Sequence, residues 1–510
     1  MTAMKNAAHR RRFGHGQAPL DRGTHVLDVP STWGATFEPQ GSGVRRGTRA
    51  GTGTRPYSSI VRVSSHSPLH PPKPRRRRVT TRHSPLITLL LLLLIAAPCT
   101  LAGQRDPRGE VFTGYYLSEL DDTEQPYSVW LPQDYDPKQK WPLVIFLHGL
   151  GGSHKMGRPR REIEDCIVIA ADGRGNTDYK LWGELDVIRV VQEAKQLYSI
   201  DPDRVWMFGI SMGGSGSWQV GVHFPDIFAA LGPVCGNADH RAWERLWGWG
   251  EKTPTWMSPK KKFIEATESA AFFAENLINL PSWPIHGDKD NVVPVGHSQS
   301  MAAELEKAGA ECHYDEVPGA GHGVPGDRIA LMLEWLKTQK RNPWPRRVIF
   351  KTAWRRHPGA YWVRIHRFQR AFDYARVEAE ALDGNTFRVQ TSNVEEFALH
   401  LVPPLAEKGK PVTVQADGKT WKGDVPADGW VRLRLADGAW KPSTEPKTLH
   451  KTADLEGPVQ HAFMGSFMIV HGTQGDDEQA KKVSREEARI LADRWNRWAA
   501  ASVAPEPTRT

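Results

Sequence analysis

The sequence predicts an α/β protein with a doubly wound, mainly parallel sheet, followed by a β-rich, sandwich-like module. Three observations carry this. Between about residues 110 and 340, short apolar runs alternate with stretches whose apolar residues recur at helical spacing. From about residue 346 the pattern changes to alternation in twos, with Asp-Gly pairs between the runs. Within the first region lies a serine flanked by glycines, Gly209-Ile210-Ser211-Met212-Gly213, directly after an apolar run.

The elements follow in order. "SVWLPQDY" reads as a strand ending in a turn. "WPLVIFLHG" (Trp141 to Gly149) is continuously apolar, as a strand buried on both faces would be. "CIVIAADGRG" is another strand. "ELDVIRVVQEAKQLY" is a helix with Leu185, Ile188, Val191 and Ala194 at helical spacing. "RVWMFGIS" leads into the serine turn, and "FAALGPVCG" and "SWPIHGDKD" are further strands. "SQSMAAELEKAG" is a helix with Met301, Leu305 and Ala308 on one face. "ECHYDEVPGAGH" is the last strand and its loop, and "RIALMLEWLKTQK" closes with a helix burying Ile329, Met332, Leu333 and Leu336.

These assignments place an α/β domain over 110–342, with an insertion at 237–275 that interrupts the rhythm. The insertion carries Trp243, Trp247, Trp249 and Trp256 and should stand above the C-terminal edge of the sheet, where open α/β folds bind ligands. It reads as a lid or substrate wall, or as tryptophans packing a small helical insert. Residues 346–450 form the β-rich domain, with Asp-Gly turns at 383–384, 417–418, 428–429 and 437–438. Residues 455–510 are mixed, an apolar strand "FMGSFMIVHG" and then the helix "SREEARILADRWNRWA", and read as an incomplete domain.

The N-terminus is different in kind. Of the chain's 67 Lys+Arg and 58 Asp+Glu, residues 1–84 hold 16 and 3, which leaves 51 basic and 55 acidic residues in the remainder. The net charge of +9 therefore lives in the leader, and the folded part lacks the basic surplus that a nucleic-acid partner requires. Residues 1–84 are poor in apolar residues and are expected to be disordered. Arg75 to Arg78 and Arg82 precede an apolar run from Leu86 to Ala97, then small residues near Ala102 and Gly103. That is the layout of a secretory signal over 85–103, too short for a comfortable membrane span. A true start near Val79 is expected, with residues 1–78 a mis-called extension or an unusual leader; the alternative is a cytoplasmic tail on a membrane anchor. Secretion or periplasmic export follows. Beyond the signal only Cys166, Cys235 and Cys312 remain, at spacings that make neither a disulfide framework nor a metal motif. No metal and no organic cofactor is implied.

The chemistry centres on Ser211. A serine nucleophile needs a base, an acid that orients the base, and donors for an oxyanion. When the nucleophile sits on a strand-to-helix elbow, acid and base follow in the order Asp or Glu, then His. "IHGDKDNVVP" offers Asp290, with Asp288 two residues earlier as the alternative acid. "PGAGHG" offers His322. Upstream, "HGLGG" (His148 to Gly152) ends a strand where a second oxyanion donor belongs. The first donor would be the N–H of Met212; the second that of Leu150, or of Gly149. His148 and His286 read as structural.

Residues 125–340 resemble the α/β-hydrolase superfamily. The resemblance rests on "YSVWLPQDYDP", "PLVIFLHGLGG", "YSIDPDRVWMFGISMGGSGSW", "FPDIFAALGPVCG", "PIHGDKDNVVPV" and "GAGH". It is closest to secreted esterases of the polyhydroxybutyrate depolymerase and feruloyl esterase type, and to the catalytic domain of prolyl oligopeptidases. It implies that Asp290 is the triad acid and His322 the base. Prolyl oligopeptidases gate their site with a long N-terminal propeller, whereas about twenty residues separate the signal from the hydrolase domain here. The expected activity is cleavage of carboxylic esters, acyl or aromatic esters on a polysaccharide or a polyester, with Trp243, Trp247 and Trp249 stacking on a ring of the substrate. A peptidase of prolyl oligopeptidase type and an inactive glycan-binding protein are the alternatives.

Overall fold

In the computed structural model, described here for residues 107–121, 123–247, 263–264, 266–444, 451–453, 455–456, 469–472 and 476–499, eight strands form the first sheet. They are β1 (Val111–Leu117), β2 (Glu124–Trp130), β3 (Trp141–Leu147), β4 (Ile167–Ala171), β5 (Ile200–Ile210), β6 (Ala230–Val234), β7 (Ile285–Gly287) and β8 (Asp315–Val317). Their order across the sheet is β1-β2-β4-β3-β5-β6-β7-β8. β1 and β2 pair antiparallel, β2 pairs antiparallel with β4, and every later pairing is parallel. This is the mainly parallel sheet expected from the alternating pattern, in the α/β-hydrolase arrangement that the resemblance implies.

The central strands are apolar because helices cover both faces. Every residue of β4 and β6 is buried. The helices are α1 (Trp182–Leu197), α2 (Met212–His223), α3 (His240–Trp247), α4 (Gly296–Ala308) and α5 (Gly326–Thr338). One face of the sheet packs Trp218, Val187, Val190 and Phe273; the other packs Met332, Leu333 and Leu336 of α5 against Val144, Val168 and Phe208. Burial of each such side chain contributes about 1.5–3 kcal/mol. β1 has no counterpart in the sequence reading. It is an edge strand whose Val111, Thr113, Tyr115 and Leu117 face solvent, so its apolar residues lack a clean alternation with polar ones.

Ten strands follow: β9 (Arg347–Thr352), β10 (Gly359–Ala360), β11 (Val363–Phe368), β12 (Ala375–Ala381), β13 (Thr386–Ser392), β14 (Val394–His400), β15 (Val412–Ala416), β16 (Lys419–Gly423), β17 (Trp430–Ala436) and β18 (Ala439–Pro442). They make two five-stranded sheets, β10-β11-β14-β17-β18 and β16-β15-β13-β12-β9, which share one core around Phe350, Trp362, Phe387 and Phe397. The module is a sandwich. Asp417-Gly418 and Asp437-Gly438 are two-residue hairpin turns with positive φ at both positions, 49° and 76°, and 50° and 73°, the pairing that such turns require. At 428–429 only Gly429 has positive φ, and the pair precedes β17 rather than joining a hairpin.

The described residues form one compact unit, and the sandwich is bonded to the α/β domain at several points. Arg376 of β12 pairs with Glu275 at 2.7 Å. The N–H of Tyr361 donates to Asp226 at 2.9 Å. Asn276 donates to the carbonyl of Lys351 and accepts from its N–H, at 2.9 and 2.7 Å. A last helix, α6 (Glu478–Ala499), covers the helical stretch expected there. The signal region and most of the expected strand "FMGSFMIVHG" lie outside the described residues; Ile469 to Gly472 are described and are not in a strand. Among the described residues no helix is long and apolar enough to cross a membrane.

Candidate active site

The central strand β5 ends at Ile210, and α2 begins at Met212. The single residue between them is Ser211, with φ 60° and ψ −119°. L-residues disfavour that conformation by about 1–3 kcal/mol, and it persists only where the surroundings over-determine it. Here glycines do so by letting backbone approach backbone. A Cβ on Gly213 would come within 1.9 Å of the Leu147 carbonyl oxygen, and one on Gly209 within 2.3 Å of the Gly213 oxygen. A Cβ on Gly214 would come within 2.5 Å of the Val234 oxygen. The pattern around the serine is therefore a packing requirement: α2 sits tight on β3, β5 and β6, and the serine is pushed up at the C-terminal edge of the sheet.

Loops from two other strand ends meet it. After β8 the chain turns and presents His322, whose Nε2 lies 2.8 Å from Ser211 Oγ. After β7 the chain presents Asp290, whose Oδ2 lies 2.8 Å from His322 Nδ1. The Asp290 side chain is fully buried, while His322 stays a quarter exposed. Oδ1 of Asp290 accepts from the N–H groups of Val292 and Val293, at 2.8 and 2.9 Å. Burial pushes the Asp290 carboxyl up, but the bonds from His322, Val293 and Val292 outweigh it and hold the group below the usual carboxylate range. An ionised acid, an imidazole held by it, and a hydroxyl under that imidazole can together deliver a serine oxygen to a carbonyl carbon.

Asp288 does not join this group. Its Oδ1 accepts from the N–H of Gly319 at 2.6 Å, which fixes the turn that precedes the histidine. The expected oxyanion segment lies beside the serine: a Cβ on Gly149 would stand 3.6 Å from the Ser211 Cβ. Met212 is the first residue of α2, so its N–H has no acceptor within the helix. Leu150 has its side chain exposed on this loop. Of the three tryptophans, Trp243 lies on α3 with its ring edge-on to buried His297, centroids 4.7 Å apart. Trp247 ends α3, and Trp249 lies outside the described residues.

Several residues near the triad had no sequence signal. His286 Nε2 is 3.2 Å from Asp290 Oδ2 and 2.9 Å from the Val293 carbonyl, and its Nδ1 is 2.7 Å from Ser298 Oγ. Both neighbours of Nε2 are acceptors, so Nε2 carries the proton and Ser298 donates to Nδ1. Burial lowers the His286 pKa and keeps the ring neutral. Cys235 is buried beside the same carboxylate, and burial, then Asp290, pushes its thiol up to about 12. Such a thiol is inert.

Two clusters have the composition of cation ligands: Cys235, His286 and Asp290, and Glu184, His223 and His357. In the first, the carboxylate is already committed to His322, His286 and two amides. In the second, the two imidazole rings stack 3.8 Å apart and 13° from parallel, so their lone pairs run side by side and do not converge. Both donate to one carboxylate, His223 to Oε2 of Glu184 at 2.6 Å and His357 to Oε1 at 2.5 Å. Neither arrangement is that of a tetrahedral site.

Residues 164–342, which include all three triad positions, match the model of the prolyl oligopeptidase family. A protein of Arthroderma benhamiae named "Uncharacterized secreted protein" is 25% identical over 311 residues, covering 56% of this chain and 33% of its own length. This chain thus spans about a third of that relative. Among solved structures, a thermostable esterase is 25% identical over 45% of this chain and 63% of its own, with a TM-score of 0.34. A ferulic acid esterase is 17% identical over 45% and 98%, with a TM-score of 0.36. Dipeptidyl peptidase 4 of Porphyromonas gingivalis is 16% identical over 45% and 35%, with a TM-score of 0.38. Over residues 164–342 the chain is thus similar to the prolyl oligopeptidase family of serine hydrolases, and its first sheet has the α/β-hydrolase arrangement.

Proposed function

We propose that this protein is a secreted serine hydrolase that cleaves carboxylic esters through an acyl-enzyme on Ser211. The observation that carries the reading is the unbroken relay from Ser211 through His322 to buried Asp290, at 2.8 Å in each step. In this reading Ser211 Oγ attacks the ester carbonyl while His322 Nε2 takes its proton. Asp290 holds the imidazole in the required tautomer and stabilises its cation. The oxyanion forms against the N–H groups of Met212 and Leu150. His322 then gives its proton to the departing alkoxide, and water repeats the sequence to release the acid.

Ester cleavage is favoured because an alkoxide leaves more easily than an amide nitrogen. Part of the sandwich docks at the far end of α2 from the serine. Bonds to Asp226 and to the Pro225 carbonyl lie just past the C-terminal end of α2. Ser211 sits at the other end, one twelve-residue helix or about 18 Å away. Export is supported by the signal-like run at 86–97 and by the name of the fungal relative. The family match supports a second reading, a serine peptidase on proline-containing peptides.

The discriminating experiment sets short-chain p-nitrophenyl esters beside a proline-linked chromogenic peptide, each with the protein and with Ser211→Ala. Ester turnover that disappears in the variant is expected. Peptide cleavage alone would select the second reading.

A further inference from the structure

We propose that Asn176 and Tyr179 are positioning residues for the oxyanion loop, His148 to Gly152, and so act on turnover without touching substrate. The inference deepens the serine-hydrolase reading and rests on it.

The loop after β4, residues 172–181, is unusual in its backbone. Arg174, Asp178, Tyr179 and Leu181 all have positive φ, between 50° and 59°, as do Gly173 and Gly175. Non-glycine residues avoid this region unless other bonds impose it. The bonds are present. The N–H of Gly173 donates to Asp186 Oδ2 at 2.7 Å. Thr177 Oγ1 donates to the Gly173 carbonyl at 2.6 Å. Arg174 is buried and pairs with Asp121 at 2.6 Å.

What this rigid loop holds is the segment "HGLGG". Tyr179 Oη accepts from the N–H of His148 at 2.8 Å and lies 3.3 Å from its carbonyl oxygen. Asn176 Oδ1 accepts from the N–H of Gly151 at 2.8 Å. The His148 ring sits between carbonyl oxygens of Gly149 and Asp172, at 2.8 and 2.9 Å. With the amides of His148 and Gly151 tied on either side, the peptides carrying the Gly149 and Leu150 N–H groups have little freedom to rotate. A segment with three glycines in five residues would otherwise be free to do so. Donors must be aimed before the charge develops, and a small misplacement costs rate more than binding. Tyr179 is itself wedged between glycines: a Cβ on Gly173 or Gly216 would come within 2.3 or 2.5 Å of its ring.

The test uses Tyr179→Phe, which keeps the wedge and removes the hydroxyl, and Asn176→Ala at an exposed position. Four quantities are measured: kcat and KM on p-nitrophenyl acetate, Kd for phenylboronic acid, and Tm. Boronic acid forms a B–O bond to Ser211 Oγ, with the proton passing to His322, and leaves a tetrahedral anion in the oxyanion position. Each variant is expected to lose roughly tenfold in kcat, less than the 10²–10³ for deleting a donor itself. KM should stay within about twofold, and boronate affinity should fall in parallel with kcat. Unchanged kcat, or a loss that follows Tm while boronate binding stays constant, overturns the proposal. Labelling of Ser211 by a fluorophosphonate in the unaltered protein separates the two levels. No label overturns the serine-hydrolase reading and this inference with it, whereas a label with full activity in both variants overturns this inference alone.

Discussion

His286 Nε2, whose N–H donates to the Val293 carbonyl at 2.9 Å, also lies 3.2 Å from Asp290 Oδ2, the same carboxylate oxygen that accepts from His322 Nδ1 at 2.8 Å. The triad acid is thus held by a second, fully buried histidine that never meets the reaction centre. We expect His286→Leu to raise the Asp290 pKa, because a donor to the charged form is lost. Turnover of p-nitrophenyl acetate should fall about tenfold with KM little changed, and the acid limb of the kcat profile should move upward in pH. A kcat profile identical to that of the parent would exclude this role.

Ser211 is held at φ 60° for its position, not for its stability. We expect Ser211→Gly to abolish turnover and to raise Tm by a degree or two, because glycine adopts this conformation without strain. Ser211→Ala should abolish turnover without that gain. Calorimetry of the two variants side by side checks the difference.

Gly213→Ala should be far worse than its size suggests. The added Cβ would fall 1.9 Å from the Leu147 carbonyl oxygen, backbone that cannot give way without moving β3 or α2. We expect at least a hundredfold loss of kcat and a fall in Tm of several degrees. The same change at Gly151, where a Cβ meets nothing within 4 Å, is limited by its φ of 75° alone and should lower Tm less.

The Glu184–His223–His357 cluster makes the join between domain and sandwich sensitive to acid. His357 is completely buried, and burial, with His223 beside it, lowers its pKa from 6.5 to about 3. The folded protein therefore refuses a proton that the unfolded chain accepts. Stability is full above about pH 6.5 and is lost as pH falls towards 3. Burial alone would raise the Glu184 pKa, but the two histidines outweigh it and hold the carboxyl well below 4.5, so Glu184 adds to the loss below that pH. Each proton contributes up to about 1.4 kcal/mol per pH unit. Urea unfolding at pH 7 and pH 5 should show the loss, and His357→Gln, which keeps a donor without titrating, should flatten it.

That Ser211, Asp290 and His322 meet was legible because chain order constrains them: each follows a strand, and a parallel sheet gathers strand ends at one edge. The two aspartates could not be separated that way. A two-residue step keeps one face only on an extended chain, but β7 ends at Gly287, and Asp288 and Lys289 form a turn, closed by the Asp290 N–H on the Gly287 carbonyl, that sends the two carboxylates apart. The second histidine on Asp290 lies four residues from it and looks in sequence like any His-Gly pair. The cluster at the sandwich was invisible because its members lie 39 and 173 residues apart, and only docking brings them together. Asn176 and Tyr179 sit in "ADGRGNTDY", where glycine and asparagine signal only a turn; the positive φ values and the bonds to His148 and Gly151 exist only in three dimensions.

The most direct test of the central claim is the rate of p-nitrophenyl acetate hydrolysis by the protein and by Ser211→Ala at equal, verified folding. The account expects turnover in the first and, in the second, a loss of at least 10⁴-fold. Equal rates in the two proteins would contradict it, since Ser211 would then not be the nucleophile.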